Sequence, residues 1–301
     1  MQKLVVNADD LGLCRGVNEA VNRAHRDGIL TSASLMATGL CFEHAVETVV
    51  SGNPELGIGA HLCLTSGKSL LGYGAIPALV NPDGSFRHGF VSLLRLVNTG
   101  GRHALDQIDR EFDAQLTRIH SAGIAIDHVN SHRHIHMIPQ ILNTVVRLSA
   151  RFGQPFIRIS TEPWRLRANQ ISPGRLPHLV GNVSKNLILR TLYSACGNRL
   201  RCPHVDQVYG ILGSGRMDAN AMEPTILNLP RGTSEILTHP ALDLNEPLDG
   251  ISPGDRVFVR SEERQRELDA LLHATSRAAI ARAQVQLTSF RDLLTRKTAS
   301  I

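Results

Sequence analysis

The sequence has 301 residues, of which 42% are hydrophobic and 20% charged, a composition typical of a globular protein with enough apolar side chains for a core. The net charge of +5 is spread along the chain and aromatic residues make up only 4%, so these features argue against a nucleic-acid-binding protein. This length suits one α/β barrel, and nothing in the composition requires a second domain.

Short apolar runs alternate with amphipathic segments along the chain, which predicts parallel strands connected by helices. The first run, Leu4 to Val6, is typical of a strand buried on both faces. A helix is predicted from Gly16 to Asp27, because its apolar residues share one face and Gly28 can end it.

Further strands and helices repeat this pattern. Strands are predicted at residues 31–37, 56–62, 124–129, 156–160, 208–212, 235–238 and 285–288. Helices are predicted at residues 42–50, 105–122, 141–152 and 262–283. With residues 4–8 there are about eight strands, the number in a closed TIM-like (β/α) barrel. The prediction includes a distorted barrel of this type.

Two stretches do not fit a minimal barrel. Residues 67–101 are rich in Gly, Pro and Asn, and residues 162–181 contain three prolines. Both are predicted to be long loops over the carboxyl-terminal face of the barrel, where binding function often resides. The expected organisation is one domain over residues 1–296 and a frayed tail over 297–301.

The start of the chain and the cysteines predict a cytoplasmic location. Residues 1–6 lead directly into Asn7, Asp9 and Asp10, which leaves no room for the apolar core of a signal peptide, and no later stretch reaches membrane-spanning length. The five cysteines are widely spaced and form no CxxC pair, as is typical of a reducing compartment.

Two adjacent carboxylates, Asp9 and Asp10, end the first predicted strand, at the end where a barrel carries its active-site groups. Adjacent side chains on an extended backbone point in opposite directions, so one carboxylate can bind a metal while the other handles a proton. The alternative is that an aspartate here caps the helix that follows.

Histidines also follow predicted strands. His61 ends the strand at residues 56–62, and the segment DHVNSHRHIH at residues 127–136 places four histidines in nine residues after another strand. A carboxylate and two imidazoles leave coordination positions open, as a catalytic metal site requires. The remaining histidines can orient ligands or contact substrate. The alternatives are a hydrogen-bonded core histidine at position 61 and a surface tract that binds metal adventitiously.

Two more polar residues lie at or near predicted strand ends. His239 precedes Pro240 and can donate a proton to a leaving amine, unless it is only a loop histidine. Arg158 can hold a carboxylate of the substrate or of Asp9 if it faces inward, and an outward ion pair is the alternative. The segment at residues 213–215 lacks the lysine and spacing of a Walker motif and is interpreted as a turn.

Five blocks of sequence occur in a characteristic order: NADDLG at residues 7–12, GILTSASLM at 28–36, GAHL at 59–62, DHVNSHRHIH at 127–136 and THP at 238–240. Together they resemble the YdjC family of carbohydrate deacetylases, which includes the chitooligosaccharide deacetylases. The finer features GSGRM at 213–217 and LPRGTSE at 229–235 are similar to the HpnK branch, whose members are associated with hopanoid biosynthesis.

The resemblance implies one divalent ion, zinc or magnesium, held by Asp10, His61 and His132, with Asp9 as general base and His239 as general acid. Substrate contacts are expected at Asn7, His134, His136, Arg158 and Met217. Two positions depart from the family pattern: Leu11 replaces the usual phenylalanine, and Asn130 stands where many members have aspartate.

The implied function is hydrolysis of the N-acetyl group of an N-acetylated amino sugar, either on an N-acetylglucosaminyl hopanoid or on a related glycoconjugate, with release of acetate. Deacetylation of chitooligosaccharides is the first alternative. A sugar isomerase or aldolase would use a similar metal site, and a non-catalytic protein would only bind the sugar lipid. The basic region at residues 261–297 would allow a transient contact with the inner membrane surface, and a homodimer is a further expectation.

Overall fold

The computed structural model describes residues 1–164, 176–196 and 202–298. Its strands are β1 Gln2–Leu11, β2 Ser32–Leu35, β3 Gly57–Leu62, β4 His128–Ser131, β5 Phe156–Ile157, β6 Gln207–Tyr209, β7 Gly232–Thr238 and β8 Gln286–Leu287. Its helices are α1 Arg15–Asp27, α2 Phe42–His44, α3 Phe90–Thr99, α4 Gly101–Ser121, α5 Pro139–Ser149, α6 Leu176–Cys196, α7 Ala219–Leu227, α8 Pro253–Val259, α9 Glu262–Leu272, α10 Ala274–Arg282 and α11 Phe290–Thr298.

All strand pairs in the sheet are parallel. The strand order is β5-β4-β3-β2-β1-β7-β6, and β8 pairs with β1 outside this path. Among the described residues no strand pairing joins β5 to β6, so these strands form a half-barrel sheet, and its closure into a full TIM-like barrel stays a prediction. An α/β fold with parallel strands is confirmed.

The eighth strand lies outside the main path of the sheet. Lys3 and Leu4 of β1 pair with β7 and also with β8, whereas Asn7 and Ala8 pair with β7 and with β2. Because a strand has only two edges, β8 shares one edge of β1 with β2 and does not occupy a position of its own around the barrel.

The strand at the centre of the sheet follows directly from its sequence. Leu4, Val5 and Val6 of β1 have no exposed surface, as expected for a strand covered on both faces. Helix α1 buries Val17 and Ala20 along one face and ends at Gly28. The predicted strand and helix of this first unit are confirmed.

Both predicted loops contain helices. The stretch at residues 67–101 includes α3 and two antiparallel bridges, Lys68 to Ser85 and Val80 to Phe86. The stretch at 162–181 includes the start of α6, while its residues 165–175 lie outside the described residues. Helix α11 continues through Thr298, past the predicted domain end at residue 296, and residues 299–301 are also outside the description.

The parallel arrangement directs the carboxyl ends of β1, β3, β4 and β7 towards one end of the sheet. Helices α3, α6 and α8 contribute residues to a cavity at this end. Within the described part of the chain, no helix is both long and apolar enough to cross a membrane.

Candidate active site

The end of β1 bends so that both of its carboxylates reach the same cavity. The pairing of β1 with β2 shifts register between Ala8 and Leu11, and Asp10 has a φ of 69°, a left-handed conformation that aspartate tolerates better than most residues. Asp9 and Asp10 both line the cavity, because this bend interrupts the usual alternation of side chains.

Asp10, His61 and His132 form a buried group whose ligand atoms all lie within 4.8 Å of one another. Asp10 Oδ1 is 3.3 Å from His61 Nε2 and 3.1 Å from His132 Nδ1. The two imidazole rings meet edge to face, with centroids 5.7 Å apart. The structure therefore brings together the three residues predicted as metal ligands.

Proton affinities in this group are strongly shifted. Burial opposes ionisation of Asp10, but hydrogen bonds from His132 and His61 lower its pKa well below the ordinary value. Burial likewise opposes a charged His132, yet its hydrogen bonds to Asp10 and Asp255 raise its pKa well above the ordinary value. A metal ion bound here must displace the His132 proton, so its affinity falls as the pH falls.

The ligands are held from behind by two further side chains. Asn130 Oδ1 lies 2.6 Å from His61 Nδ1, and Asp255 Oδ1 lies 3.2 Å from His132 Nε2. Asp255 is fixed in turn by Ser252 Oγ at 2.6 Å and by Arg133 at 3.0 Å. Such outer partners fix the orientation of imidazole ligands in metal sites.

Asp9 belongs to a second buried ion cluster beside this group, with its Oδ1 3.9 Å from His61 Nδ1. Arg158 donates to both of its oxygens, to Oδ2 at 2.6 Å and Oδ1 at 2.9 Å, and also donates to Glu235 Oε1. Asn7 and Asn130 donate to Asp9 Oδ1 at 2.9 Å and 3.1 Å. Burial opposes ionisation, but the charge of Arg158 lowers the pKa of Asp9 well below its ordinary range.

His239 follows β7 and faces Asp9, with His239 Nε2 lying 4.0 Å from Asp9 Oδ2. On the other side of the ring, Nδ1 is 3.9 Å from Glu267 Oε2. Burial lowers the pKa of His239 to about 4 against the attraction of Asp9 and Asp10, so the imidazole is neutral at neutral pH. Burial raises the pKa of Glu267 to about 7.

Arg264 links this histidine to the metal-ligand group. Its Nε donates to the His239 carbonyl at 2.7 Å, and its terminal nitrogen lies 3.1 Å from Asp10 Oδ2. A fixed positive charge therefore stands between His239 and the carboxylate of Asp10.

The histidine tract after β4, His132–Met137, forms short 3₁₀ turns interrupted by a kink at Arg133 and His134. Arg133 and His134 have φ values of 54° and 56°, which cost about 1–2 kcal/mol per residue and are typical of functional sites. His134 lines the cavity and bonds to Ser160 at 3.0 Å. His136 is fully buried, with its ring nitrogens near Ser131 Oγ and the Arg158 carbonyl.

The cavity has a volume of about 590 Å³. The predicted site residues that line it are Asp9, Asp10, His61, His132, His134 and His239. Four residues predicted to contact substrate are not part of its described lining: Asn7, His136, Arg158 and Met217. Asn7 and Arg158 lie behind Asp9, and the Met217 amide donates to Glu267. Their contact with substrate stays a prediction.

Sequence reasoning missed Asp255, Arg264, Glu267 and the cavity residue Lys185. All four lie on helices, whereas the sequence pattern points to site residues at the ends of strands. The one local signal for Asp255 was the Ser-Pro-Gly-Asp segment at residues 252–255, in which a serine cap precedes an acidic first turn.

Comparison with known proteins identifies the family. The model of the YdjC-like proteins matches residues 3–282. The chain belongs to the YdjC family. A carbohydrate deacetylase of Geobacillus stearothermophilus is 30% identical over 96% of this chain and 96% of that protein. A chitooligosaccharide deacetylase of Proteus mirabilis is 30% identical over 97% of this chain and 98% of its own.

Two further similarities differ in reach. A carbohydrate deacetylase of Brevibacillus brevis is 40% identical, but the match covers 51% of this chain and 58% of that protein. A solved structure from Enterococcus faecalis V583, titled for a proposed cleavage of cellobiose phosphate, has a TM-score of 0.69 and 24% identity over 97% of this chain and 98% of that one. This last likeness shows that the fold is shared.

In this YdjC protein the donor set fits a divalent cation. One carboxylate and two imidazoles converge, and each imidazole has its second nitrogen bonded to a polar side chain, as in catalytic metal sites. The two departures from the family pattern differ in effect. Leu11 is a packing residue with no exposed surface, whereas Asn130 contacts both His61 and Asp9.

Proposed function

We propose that this protein is a metal-dependent hydrolase that removes the acetyl group from an N-acetylated amino sugar. The observation that carries the proposal is the position of the Asp10, His61 and His132 group beside Asp9 and His239 in one cavity. An amide needs an activated water, a polarised carbonyl and a proton for the leaving amine. The cavity presents residues suited to each of these tasks.

One divalent ion held by Asp10, His61 and His132 would supply Lewis-acid chemistry, which acidifies water and polarises the acetyl carbonyl. Two nitrogen donors and one carboxylate favour zinc, because magnesium prefers oxygen ligands and keeps several waters. We therefore propose zinc, with magnesium as the alternative to be compared in the same assay.

Asp9 is suited to accept the proton of the attacking water through Oδ2. Its Oδ1 already accepts from Asn7, Asn130 and Arg158, whereas within the described part of the chain Oδ2 accepts only from Arg158. Oδ2 is also the oxygen nearer to His239. The hydrogen bonds thus leave one defined oxygen for proton transfer.

His239 is suited to pass that proton to the leaving amine. It is neutral at neutral pH because burial lowers its pKa to about 4, so it must first receive a proton. Asp9 Oδ2 lies 4.0 Å from His239 Nε2, close enough for a transfer after a small movement. Glu267, on the Nδ1 side, would stabilise the charged imidazolium.

The cavity wall suggests an apolar group next to the sugar. Phe90, Ile188, Leu189 and Phe258 line the cavity, and Ile188 is 49% exposed, so apolar surface is open to solvent there. This supports, within the proposal, an amino sugar on an apolar aglycone such as an N-acetylglucosaminyl hopanoid. Chitooligosaccharides, which the Proteus relative is named for, are the alternative substrates.

The substrate proposal is tested with the purified protein, an N-acetylglucosaminyl hopanoid and chitobiose, each with added Zn²⁺, with added Mg²⁺ and with chelator. Mass spectrometry of the free amine and an acetate assay report the reaction. We expect amine and acetate from the hopanoid conjugate in equal amounts, and neither with chelator. Turnover of chitobiose alone would replace the aglycone proposal, and acetate release from neither would refute deacetylation.

Three substitutions separate metal binding from proton transfer. Asp10→Ala and His132→Ala should abolish metal binding and turnover together, because each removes a ligand. His239→Ala should bind metal normally and lose turnover by about 100-fold or more, a loss typical of general acid–base groups. His120→Ala, at an exposed histidine, is the control. Normal turnover in any of the first three variants would contradict the assigned role.

A further inference from the structure

A continuous chain of hydrogen bonds runs behind the active site through the core of the sheet. Asp127 Oδ1 lies 2.6 Å from His128 Nδ1, and His128 Nε2 lies 2.8 Å from Ser34 Oγ. Ser34 Oγ then accepts from Asn130 Nδ2 at 2.8 Å and from Asn7 Nδ2 at 2.9 Å. Asp127, His128, Ser34, Asn130 and Asn7 are called the core chain below.

The donors and acceptors of the core chain fit only one direction. Ser34 Oγ receives two amide hydrogens, which occupy both of its lone pairs, so its own hydrogen must go to His128 Nε2. His128 Nε2 is then an acceptor, and its Nδ1–H donates to the Asp127 carboxylate. Serine, histidine and aspartate follow one another as in a Ser-His-Asp triad, but here the serine hydroxyl accepts hydrogen bonds from two asparagines.

The direction of the hydrogens decides how the asparagines meet the active site. With both Nδ2 hydrogens of Asn130 given to Ser34 and Asp9, its Oδ1 is left to accept from His61 Nδ1–H. His61 must then present the lone pair of Nε2 towards Asp10. The same bonds, with those of Asn7, hold Asp9 Oδ1 as an acceptor.

The inner members of the core chain do not touch the cavity. Asp127, His128 and Ser34 are at most 3% exposed, and none belongs to the described cavity lining. The His128 ring stacks on Phe290 with centroids 4.3 Å apart. The side-chain hydrogen bonds described for these three residues therefore reach the active site through Asn130 and Asn7.

We propose that Ser34 and His128 are positioning residues that act through Asn130 and Asn7. Through these asparagines they determine which nitrogen of His61 faces the metal site. They also determine which oxygen of Asp9 stays free for the reaction. The expected effect on the reaction rests on the proposed function. The expected effect on metal binding does not, because it can be measured without turnover. Asp127 anchors the chain by acting only as an acceptor for His128.

Two substitutions and their combination test the proposal. His128→Phe keeps a ring that can stack on Phe290 and removes both hydrogen bonds, while Ser34→Ala removes only the hydroxyl. The control is Ser276→Ala, since Ser276 is equally buried but its hydroxyl bonds to the Ala270 carbonyl. Each variant is assayed for kcat and KM at saturating metal, for Co²⁺ affinity and visible absorption, and for thermal stability.

We expect Ser34→Ala and His128→Phe each to lower kcat by about 10- to 100-fold, with KM changed by less than about threefold. Each should also weaken Co²⁺ binding by about tenfold, because the loss of residues that hold the ligands has effects of this size in metal sites. The double variant should be no slower than the worse single variant, because both changes break one chain. Ser276→Ala should leave kcat and the cobalt spectrum unchanged.

The outcomes separate this inference from the proposed function. If the wild-type protein releases no acetate, the function fails, and the cobalt affinity and spectrum still test the chain. Wild-type kcat and a wild-type cobalt spectrum in folded Ser34→Ala would overturn the inference. Multiplicative losses in the double variant would also overturn it. If His128→Phe does not fold, Ser34→Ala alone decides.

Discussion

At the scale of single residues, Arg158 is the buried charge on which the site depends. It is 2% exposed and separates two carboxylates, Asp9 and Glu235, to each of which it donates. Without the guanidinium, two buried negative charges would remain without their shared positive partner, and their desolvation cost would no longer be offset by attraction. The same residue therefore supports both folding and the low proton affinity of Asp9.

Arg158→Met should destabilise the folded state by about 3–5 kcal/mol at neutral pH, the range for breaking a buried ion pair. Urea unfolding of the metal-free protein measures the change. Part of the loss should return as the pH is lowered, because Asp9, without the charge that lowers its pKa, can then bind a proton and lose its charge.

Arg147→Met is the matched control, because Arg147 pairs with Asp109 on the surface, where its side chain is 60% exposed. Surface pairs contribute about 0–1 kcal/mol, so this variant should unfold close to the wild type. A loss at Arg158 as small as the loss at Arg147 would show that the buried cluster is not required for stability.

The site residues that were predictable share one property, which is that they follow strands. Asp9, Asp10, His61, His132 and His239 lie at or just after the ends of β1, β3, β4 and β7, and parallel strands bring such ends together. Asp255 and Glu267 come from α8 and α9. No local pattern tells where helices after the last long strand pack, so the partners of His132 and His239 were not found.

At the scale of elements, Glu162 connects parts of the chain that strand pairing leaves apart. It follows β5, and its Oε2 accepts from the amides of Ile211 and Leu212 after β6 at 2.8 Å and 2.7 Å. Its own backbone exchanges two hydrogen bonds with Asn186 of α6. Together with the bond from the Ile157 amide to the Pro203 carbonyl, these contacts span the open side of the half-barrel.

Glu162 should make this connection sensitive to pH. Burial raises its pKa from 4.5 to about 7, although backbone hydrogen bonds oppose the shift. The folded state therefore binds the proton more tightly than the unfolded state, so the stabilising contribution is full below about pH 4.5 and is lost as the pH rises through about 7. Above that pH the ionised carboxylate is a cost to folding.

Glu162→Gln removes the titration and keeps an oxygen that can accept both amides. Between pH 5 and pH 8 the free energy of unfolding of the variant should gain roughly 1–3 kcal/mol relative to the wild type. Urea unfolding of the metal-free proteins at both pH values measures this. Glu55→Gln, at an exposed glutamate, is the control, and a pH-independent difference between Glu162→Gln and wild type would refute the assignment.

The ends of helices were hard to predict where a proline or a single turn marks the end of the helix. Helix α6 begins at Leu176, and Pro177 in its first turn suits a helix start but suggested a loop. The predicted helix at 262–283 is divided at His273, whose ψ of 141° is extended and whose side chain caps α10. Periodicity continues across such a break, so the sequence pattern does not reveal it.

At the scale of the whole molecule, the alternation of strands and helices predicted the class of fold, whereas the closure of the sheet stays a prediction. Closure depends on which strands become neighbours, and among the described residues β8 pairs beside β1 and does not link β5 to β6. A two-residue strand carries too little pattern to specify its partner. The same limit applies to the cavity wall formed by α3 and α6: α3 falls in the stretch predicted as a loop at residues 67–101, and only the start of α6 falls in the one at 162–181.

Metal binding should stabilise the whole fold, because the proposed ligands come from β1, β3 and the segment after β4. An ion that binds only the folded state stabilises it by about 2.7 kcal/mol when its free concentration is 100-fold above Kd. For a chain of this size we expect Tm to rise by roughly 5 °C with Zn²⁺.

Calorimetry with Zn²⁺, Co²⁺, Mg²⁺ and chelator measures this coupling, with Asp10→Ala as the variant that should not respond. The rise in Tm should become smaller as the pH falls, because the ion competes with a proton for His132. Hydrogen bonds to Asp10 and Asp255 stabilise that proton on His132. A response to Mg²⁺ at the same low concentration as Zn²⁺ would change the assigned ion. If none of the three ions moves Tm in the wild-type protein, or if Asp10→Ala responds equally, the ligands do not bind a metal together.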